Sequence, residues 1–352
     1  MSSSFWVGKR VFLTGHTGFK GGWLSLCLQQ LGAHVTGYSL APPTLPNFFD
    51  VSRVSEGMQS ITGDIRDFEV LASALKLADP EVIIHMAAQP LVRQSYLDPL
   101  ETYTTNVIGT ANLLEAAKKI KSLKALVNVT TDKVYENKEW SWPYRENESI
   151  GGADHYSSSK GCSELITAAY RTSSFLNSEI GLATARAGNV IGGGDWANDR
   201  LVPDFFRAVG CGEVVEIRNP KATRPWQHVL EPLSGYLLLA ERLWCDPQQF
   251  SGSWNFGPEQ RDVRSVGWLV DQLVGLWDGA KGWKQSHDTH PHEATNLSLD
   301  ISKARHLLRW EPRLGINEGL RLTVEWERER IGGSDMRTVS DIQIQKFLGC
   351  AK

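Results

Sequence analysis

Hydrophobic positions along the first 190 residues fall into two alternating textures. Short runs rich in Val, Ile, Leu, Thr and aromatic residues occupy 10–15, 34–39, 59–63, 82–86, 125–131 and 181–185. Longer stretches between them, including 19–31 and 67–77, space their apolar residues as helices do. The short runs are rich in β-formers and read as strands. Strands that alternate with helices build a parallel sheet covered on both faces. The expected fold class is therefore α/β, with a Rossmann-type doubly wound parallel sheet. Such sheets bind ligands beyond the carboxyl ends of their strands, near the point where strand order reverses.

After residue 188 the texture changes. Residues 189–200 form a Gly/Asn/Asp loop too long for a routine connection. Beyond it the pattern predicts a helix at 202–211, a strand at 214–218, a helix at 232–244 and a strand at 253–256. Helices follow at 266–276, 302–308 and 316–330. The predicted organisation is a dinucleotide-binding domain over 1–188 and a smaller mixed α/β C-terminal lobe over 189–352. The lobe is expected to interleave with the sheet domain and to bind substrate. The proline-rich stretch at 41–46 reads as a stiff surface loop.

Composition narrows the function. A chain of 352 residues can bury a large core. Its net charge of -3 comes with no basic stripe, which argues against nucleic acid as a partner. The N-terminal residues lack the pattern of a signal peptide. No apolar run approaches the roughly 20 residues that cross a bilayer, so neither a membrane nor export is expected and the cytoplasm is the expected compartment. The cysteines (Cys27, Cys162, Cys211, Cys245 and Cys350) are scattered, with no Cys-x-x-Cys pair and no His cluster nearby. They read as free thiols, and no metal site is expected.

Candidate chemistry begins in the first strand–helix turn, Thr14-Gly15-His16-Thr17-Gly18-Phe19-Lys20-Gly21. Its glycines let the backbone turn tightly and approach a pyrophosphate, whose charge the helix N-terminus favours. Gly15, Thr17, Gly18, Phe19 and Gly21 are candidate cofactor contacts from this turn. Asp64 and Ile65, then Ala87, Ala88 and Gln89, close the following strand ends and join them. The second strand ends in Tyr38-Ser39-Leu40, with neither a carboxylate for a ribose hydroxyl nor an Arg for a 2′-phosphate. Those residues leave NAD and NADP both open.

A second constellation starts at Thr131-Asp132-Lys133 and continues to Tyr156 and Lys160. The last two stand one helical turn apart. A free tyrosine titrates near ~10, too high for a base at neutral pH, so a neighbouring lysine cation must favour the phenolate. Thr131 would hydrogen-bond the substrate oxygen that loses its proton. An acid beside an amine, Asp132-Lys133, exceeds what a simple alcohol oxidation requires.

Taken together, the glycine turn, Asp64-Ile65, Ala87-Ala88-Gln89, Thr131 and the Tyr156/Lys160 pair resemble the extended short-chain dehydrogenase/reductase family. Arg224-Pro225-Trp226-Gln227-His228 and Trp254-Asn255-Phe256-Gly257-Pro258 resemble its substrate-lobe signatures. Within that family the nucleotide-sugar 4,6-dehydratases carry Thr-Asp-Glu where this chain has Thr131-Asp132-Lys133. The resemblance implies NAD as a catalytic cofactor, a nucleotide-sugar substrate and a homodimer or homotetramer built on helices near 100–120 and 156–176. It implies Tyr156 as the C4 base and Asp132 as the donor to a departing C6 hydroxyl. Lys133, in place of the glutamate, either takes the C5 proton or stabilises the charge left behind. Asn189, Arg200, Arg224, His228 and Asn255 are the implied substrate contacts. A 4-epimerase, a nucleotide-sugar decarboxylase or a non-catalytic cofactor sensor would share the fold. An epimerase has no use for Asp132 or Lys133, a decarboxylase would need a cation for a C6 carboxylate, and a sensor commonly loses the Tyr/Lys pair.

Overall fold

A computed structural model describes residues 3–286 and 295–349 of the chain; Cys350 lies outside the described residues. Seven strands, β1 (Arg10–Thr14), β2 (His34–Ser39), β3 (Gln59–Thr62), β4 (Val82–His85), β5 (Ala125–Val129), β6 (Gly181–Ala187) and β7 (Gly252–Phe256), form one sheet. Their spatial order is β7-β6-β5-β4-β1-β2-β3, and every pairing is parallel. The chain runs outward from β1 to β3 and then returns to start again at β4. Strand order therefore reverses between β1 and β4, and their carboxyl ends frame the crevice expected of this architecture. Strands β4, β5 and β6 are buried along their whole length, which accounts for their continuous apolar runs.

Among the described residues nine longer helices cover the sheet and build the second lobe: α1 (Phe19–Gln30), α2 (Phe68–Ala78), α3 (Gly109–Ala117), α4 (His155–Thr172), α5 (Leu201–Gly210), α6 (Leu230–Cys245), α7 (Val266–Leu276), α8 (Ile316–Ile331) and α9 (Met336–Leu348). On one face of the sheet Trp23, Leu24 and Leu28 of α1 join Leu233 and Leu237 of α6, Trp326 of α8 and Ile344 of α9 in a single core. On the other face Leu71 and Leu75 of α2 pack with Leu113 and Leu114 of α3. A third core holds the lobe, with Phe205 of α5, Leu269 and Leu273 of α7, Leu320 of α8 and the short strand Val215–Ile217. The two halves interleave, because β7 and α6 come from the second half yet complete the sheet and its cover.

Three local departures from the sequence pattern have clear causes. Strand β5 stops at Val129, and Thr131 caps a 3-10 turn over Asp132–Val134 by accepting from the Lys133 N–H. The region predicted as a helix at 302–308 holds a single π turn, Ala304–Leu308, closed by Arg309 in the left-handed conformation. Helix α9 was not anticipated, since its apolar residues are diluted among polar ones. Its ends carry ordinary signals nonetheless, with Asp335 capping the start and Gly349 (φ 72°) the finish.

The long loop after β6 is pinned at its start. Val190–Ile191 pairs with Gln227–His228, and Trp23 donates to the Gly193 carbonyl at 3.0 Å. A Cβ on Gly193 would lie 2.1 Å from the Trp326 ring, which is fully buried. Gly193→Ala is therefore expected to lower stability by about 2 kcal/mol through overpacking. A urea titration should show an earlier midpoint with an unchanged slope.

Candidate active site

The first turn leaves β1 at Thr14, whose hydroxyl bonds His85 Nδ1 at 2.7 Å and accepts from the Met86 and Ala87 amides. This knot joins the two strands at the switch point. Gly15 (φ 79°) sits so close to the β4 end that a Cβ would lie 2.7 Å from Ala87 N. At Gly21 a Cβ would lie 2.0 Å from the Gly15 carbonyl, so glycine is what allows α1 to start against its own turn. Gly18 differs. The Gly15 carbonyl oxygen, at 3.5 Å, is the nearest atom to a Cβ there, and no side chain caps α1. Uncapped first-turn amides beside an open glycine are the donor set a dinucleotide pyrophosphate requires, so these residues fit such a cofactor.

The other predicted cofactor residues form the surrounding frame. Thr17 is bonded to the Ser39 hydroxyl at 2.8 Å and donates to the Leu40 carbonyl at 2.9 Å, tying the turn to the end of β2. Phe19, partly buried, packs against the main core. Asp64 is gripped by Arg66, which holds its carboxyl below the usual range. Ile65 is buried against Gly109 at the start of α3. Ala87 and Ala88 are partly buried where the chain leaves β4. The Gln89 side chain donates to Thr102 and to the Leu91 carbonyl, while its backbone pairs with the Asn106 amide.

Asn106 is the functional residue here that motif reading passed over. It sits on a π-helical turn (Thr104–Ile108) and donates to Ser159 at 2.8 Å, so it locks the β4 end to α4. Asp154 caps α4 by accepting from the Ser157 amide, and this sets Tyr156 and Lys160 in the first turns.

At the reactive centre the side chains repel their own charged forms. Burial pushes the Tyr156 phenol up to about 12; a hydrogen bond with Thr131 and the charge of Arg200 pull the other way, and the charge of Asp132 adds to the rise. Burial pulls Lys160 down to about 8 while Glu164 opposes the change, and Lys160 Nζ donates to the Val129 carbonyl at 2.9 Å. Asp132 is 2% exposed. Its Oδ1 accepts from Thr131, its Oδ2 has no partner, and burial raises its pKa. Gly188 makes room for that orphan oxygen, since a Cβ there would lie 3.0 Å from it. Lys133 is half-buried next to Asp132, and its charge pulls the Asp132 pKa back down.

The predicted substrate residues separate into two groups. Arg200 directly precedes α5, donates to Asp195 at 2.8 Å and acts electrostatically on Tyr156. Arg224 is buried, donates to the Thr223 and Thr295 carbonyls and acts on Asp132. Both cations therefore face the reactive centre. Asn189, partly buried, follows β6 and anchors the loop by accepting from Gln227 N. His228 and Asn255 lie in the frame. His228 is buried against Trp23 and Gly319, and burial holds its imidazole neutral near pKa 3. Asn255 accepts from Tyr135 and donates to the Tyr144 and Asp300 carbonyls.

Two further side chains enter the centre unannounced. Lys20 donates to the Tyr236 hydroxyl at 3.3 Å, and burial together with Arg200 and Lys160 pushes it down to about 7. Tyr236, fully buried on α6, has its pKa raised by burial and by the nearby Tyr156 and Asp132. Lys20 could have been found as the sole charge in α1. Tyr236 opens the apolar run Tyr236–Ala240 of α6 and carries no such mark. Among the described residues no group of His, Cys, Asp or Glu could hold a metal ion, and no helix is long and apolar enough to cross a membrane.

The chain belongs to the GDP-mannose 4,6 dehydratase family, which matches residues 12–251. It is 52% identical over 353 aligned residues to the CDP-glucose 4,6-dehydratase of Salmonella typhimurium, covering 99% of this chain and 98% of that one. The dTDP-glucose 4,6-dehydratase of Streptomyces antibioticus is 28% identical over 76% of each chain. An epimerase from Methanothermobacter thermautotrophicus superposes with a TM-score of 0.81 at 24% identity over 96% of both chains, which shows a shared fold.

A carboxyl whose pKa rises on folding binds its proton more readily in the folded state. Stability then falls as pH climbs from the ordinary carboxylate value to the raised one. Asp132→Asn removes that slope. Its melting temperature, followed across pH, should overtake that of the parent above the normal carboxylate range and match it more closely in acid.

Proposed function

We propose that this protein is an NAD-dependent hydro-lyase that converts CDP-D-glucose to CDP-4-keto-6-deoxy-D-glucose and water. The observation that carries this reading is Asp132, a buried carboxyl with an unpartnered oxygen, set beside Tyr156 and Lys160. Hydroxyl oxidation needs a base; it has no use for a buried carboxyl, pushed toward its protonated form, near that base. Loss of a C6 hydroxyl as water needs both. The 52% identity to a CDP-glucose 4,6-dehydratase supports cytidine as the base and glucose as the sugar.

The residues divide the work as follows. Tyr156 removes the C4 hydroxyl proton, helped by the Thr131 hydrogen bond and by the positive charge of Arg200. The Gly15–Gly21 turn would hold NAD+, which would supply a hydride acceptor at C4 and a hydride donor at C6, so that no net oxidation would result. The C4 ketone acidifies the C5 hydrogen, and Lys133 either receives that proton or steadies the enolate. Asp132 gives its proton to the departing C6 hydroxyl. Arg200 and Arg224 hold the diphosphate, Asn189 contributes from the loop base, and His228 and Asn255 serve by holding the walls of the site.

Residues 1–188 supply the cofactor site and 189–352 the nucleotide-sugar lobe. The enzyme works in the cytoplasm and feeds deoxysugar synthesis of the O-antigen, lipopolysaccharide type. It functions as a homodimer or homotetramer, a reading supported by the apolar side chains Leu97, Leu100, Ile108 and Leu165 exposed around the helices at 92–117 and 155–172.

Incubation with CDP-glucose and NAD+ should yield a product with the alkali-shifted absorbance of a 4-keto-6-deoxy sugar, and dTDP-glucose or GDP-mannose should yield far less. Absence of product from all three would overturn the assignment. Lys133→Ala should bind NAD+ as the parent does yet lose the elimination step. Full dehydratase activity in that variant would remove Lys133 from the mechanism.

A further inference from the structure

Helix α4 carries a buried carboxylate that the proposed reaction does not use. Glu164 follows Lys160 by one helical turn and is 2% exposed. The two side chains grip consecutive residues at the end of β5. Lys160 Nζ donates to the Val129 carbonyl at 2.9 Å, and Thr130 donates its hydroxyl to Glu164 Oε1 at 2.5 Å. The next two residues along the chain are Thr131 and Asp132. Glu164 also accepts from Thr184 at 2.7 Å, from Ser253 at 3.3 Å and from both Nε and Nη2 of Arg186 at 2.8 and 2.9 Å. Its donors therefore come from β6 and β7 as well as from the end of β5. One carboxylate joins the catalytic helix to three neighbouring strand segments.

We infer that Glu164 is a positioning residue for this active site, clamping the β5 end together with Lys160 and supporting the Lys160 ammonium from below. This inference uses the roles proposed above for Thr131, Asp132, Tyr156 and Lys160. The geometry gives the charge a clear direction of action. Lys160 is faced by Glu164 and Tyr156 on its own helix, by His85 from β4 and by Lys20 from α1. His85 is held neutral by burial and Lys20 opposes a second cation, which leaves Glu164 as the anion that raises the Lys160 pKa. Glu164 is in turn faced by Arg186 from β6 and by Arg171 on its own helix. A neutral side chain at 164 would keep most of the packing. It would remove the support for a lysine that burial has already brought to about 8.

The test is an NMR titration of lysine side-chain resonances in the full chain, with the Lys160 signal assigned by its loss in Lys160→Met. In Glu164→Gln the Lys160 pKa should fall by about one unit. An unchanged Lys160 pKa would overturn the proposal. Because the substitution leaves Arg186 buried and unpaired, Glu164→Gln/Arg186→Met is measured alongside. The double variant should fold with a melting temperature nearer the parent and keep the lowered Lys160 pKa. Return of that pKa to the parent value in the double variant would mean that Glu164 serves only to pair with Arg186, and would likewise overturn the proposal. Turnover of CDP-glucose supplies the catalytic consequence: the alkaline limb of the pH–rate profile should move to lower pH with the Lys160 titration, and a profile lowered in height but unmoved would count against it. Since the titration needs no substrate, it stands even if the parent turns over no sugar nucleotide, which would defeat the assigned reaction alone.

Discussion

An ion pair with both partners 1% exposed is an expensive thing to place under an active site, since each ion loses its water at a cost of several kcal/mol. Glu164 and Arg186 are tolerated because little of their hydrogen-bonding capacity is wasted. Beyond its bonds to Glu164, Arg186 donates to the Tyr135 hydroxyl at 2.8 Å and to the Glu146 carbonyl at 3.2 Å. The Tyr135 hydroxyl donates to Asn255 Oδ1 at 2.7 Å, and the Asn255 backbone amide donates to the Glu146 carboxyl. The 3-10 turn that carries Asp132 and Lys133 is therefore fixed from both ends, by Thr130 before it and Tyr135 after it. Its geometry depends on the pair.

The same dryness that makes the pair costly gives the centre its chemistry. Burial is the largest influence on Tyr156, Lys160, Lys20 and Asp132 alike, and in each case it favours the neutral form. A site with this bias resists carrying isolated charge but passes protons readily between neighbours of similar demand. Such a site suits a sequence of proton transfers with no net change in charge better than it suits the capture of a lone ion. The cations that remain committed, Arg200 and Arg224, stand on the lobe side, where a diphosphate would meet them.

The strands were the most legible elements, because β4 to β6 are buried on both faces and are mostly apolar, with Asn128, Thr184 and Arg186 as buried polar exceptions in β5 and β6. The glycine turn was equally plain, since Gly15 and Gly21 each occupy a place a Cβ would fill with backbone. Side-chain roles were less legible. Asn255 and His228 lie in recognisable signatures, yet their side chains are spent inside the wall, and nothing in a linear pattern separates a residue that lines a site from one that backs it. Asn106, Glu164 and Tyr236 were missed for the converse reason. Their partners are 53, 22 and 216 residues away, at Ser159, Arg186 and Lys20, so only the fold brings them together.

The adjacency of Asp132 and Lys133 gains a specific meaning from their electrostatics. A positive charge on Lys133 lowers the Asp132 pKa, while burial raises it. Burial is the larger of these influences and favours the protonated carboxyl, the form that a donor to a leaving hydroxyl needs. In the proposed role of Lys133 as the C5 base, a charge gained there would make the neighbouring carboxyl a stronger acid. On that proposal deprotonation at C5 and protonation at C6 would be coupled through one contact. A glutamate in the same place would become neutral on taking the proton and would relax a repulsion instead. The two side chains reach the same coupling from opposite charges, which is a physical reason why lysine can stand where related dehydratases carry glutamate.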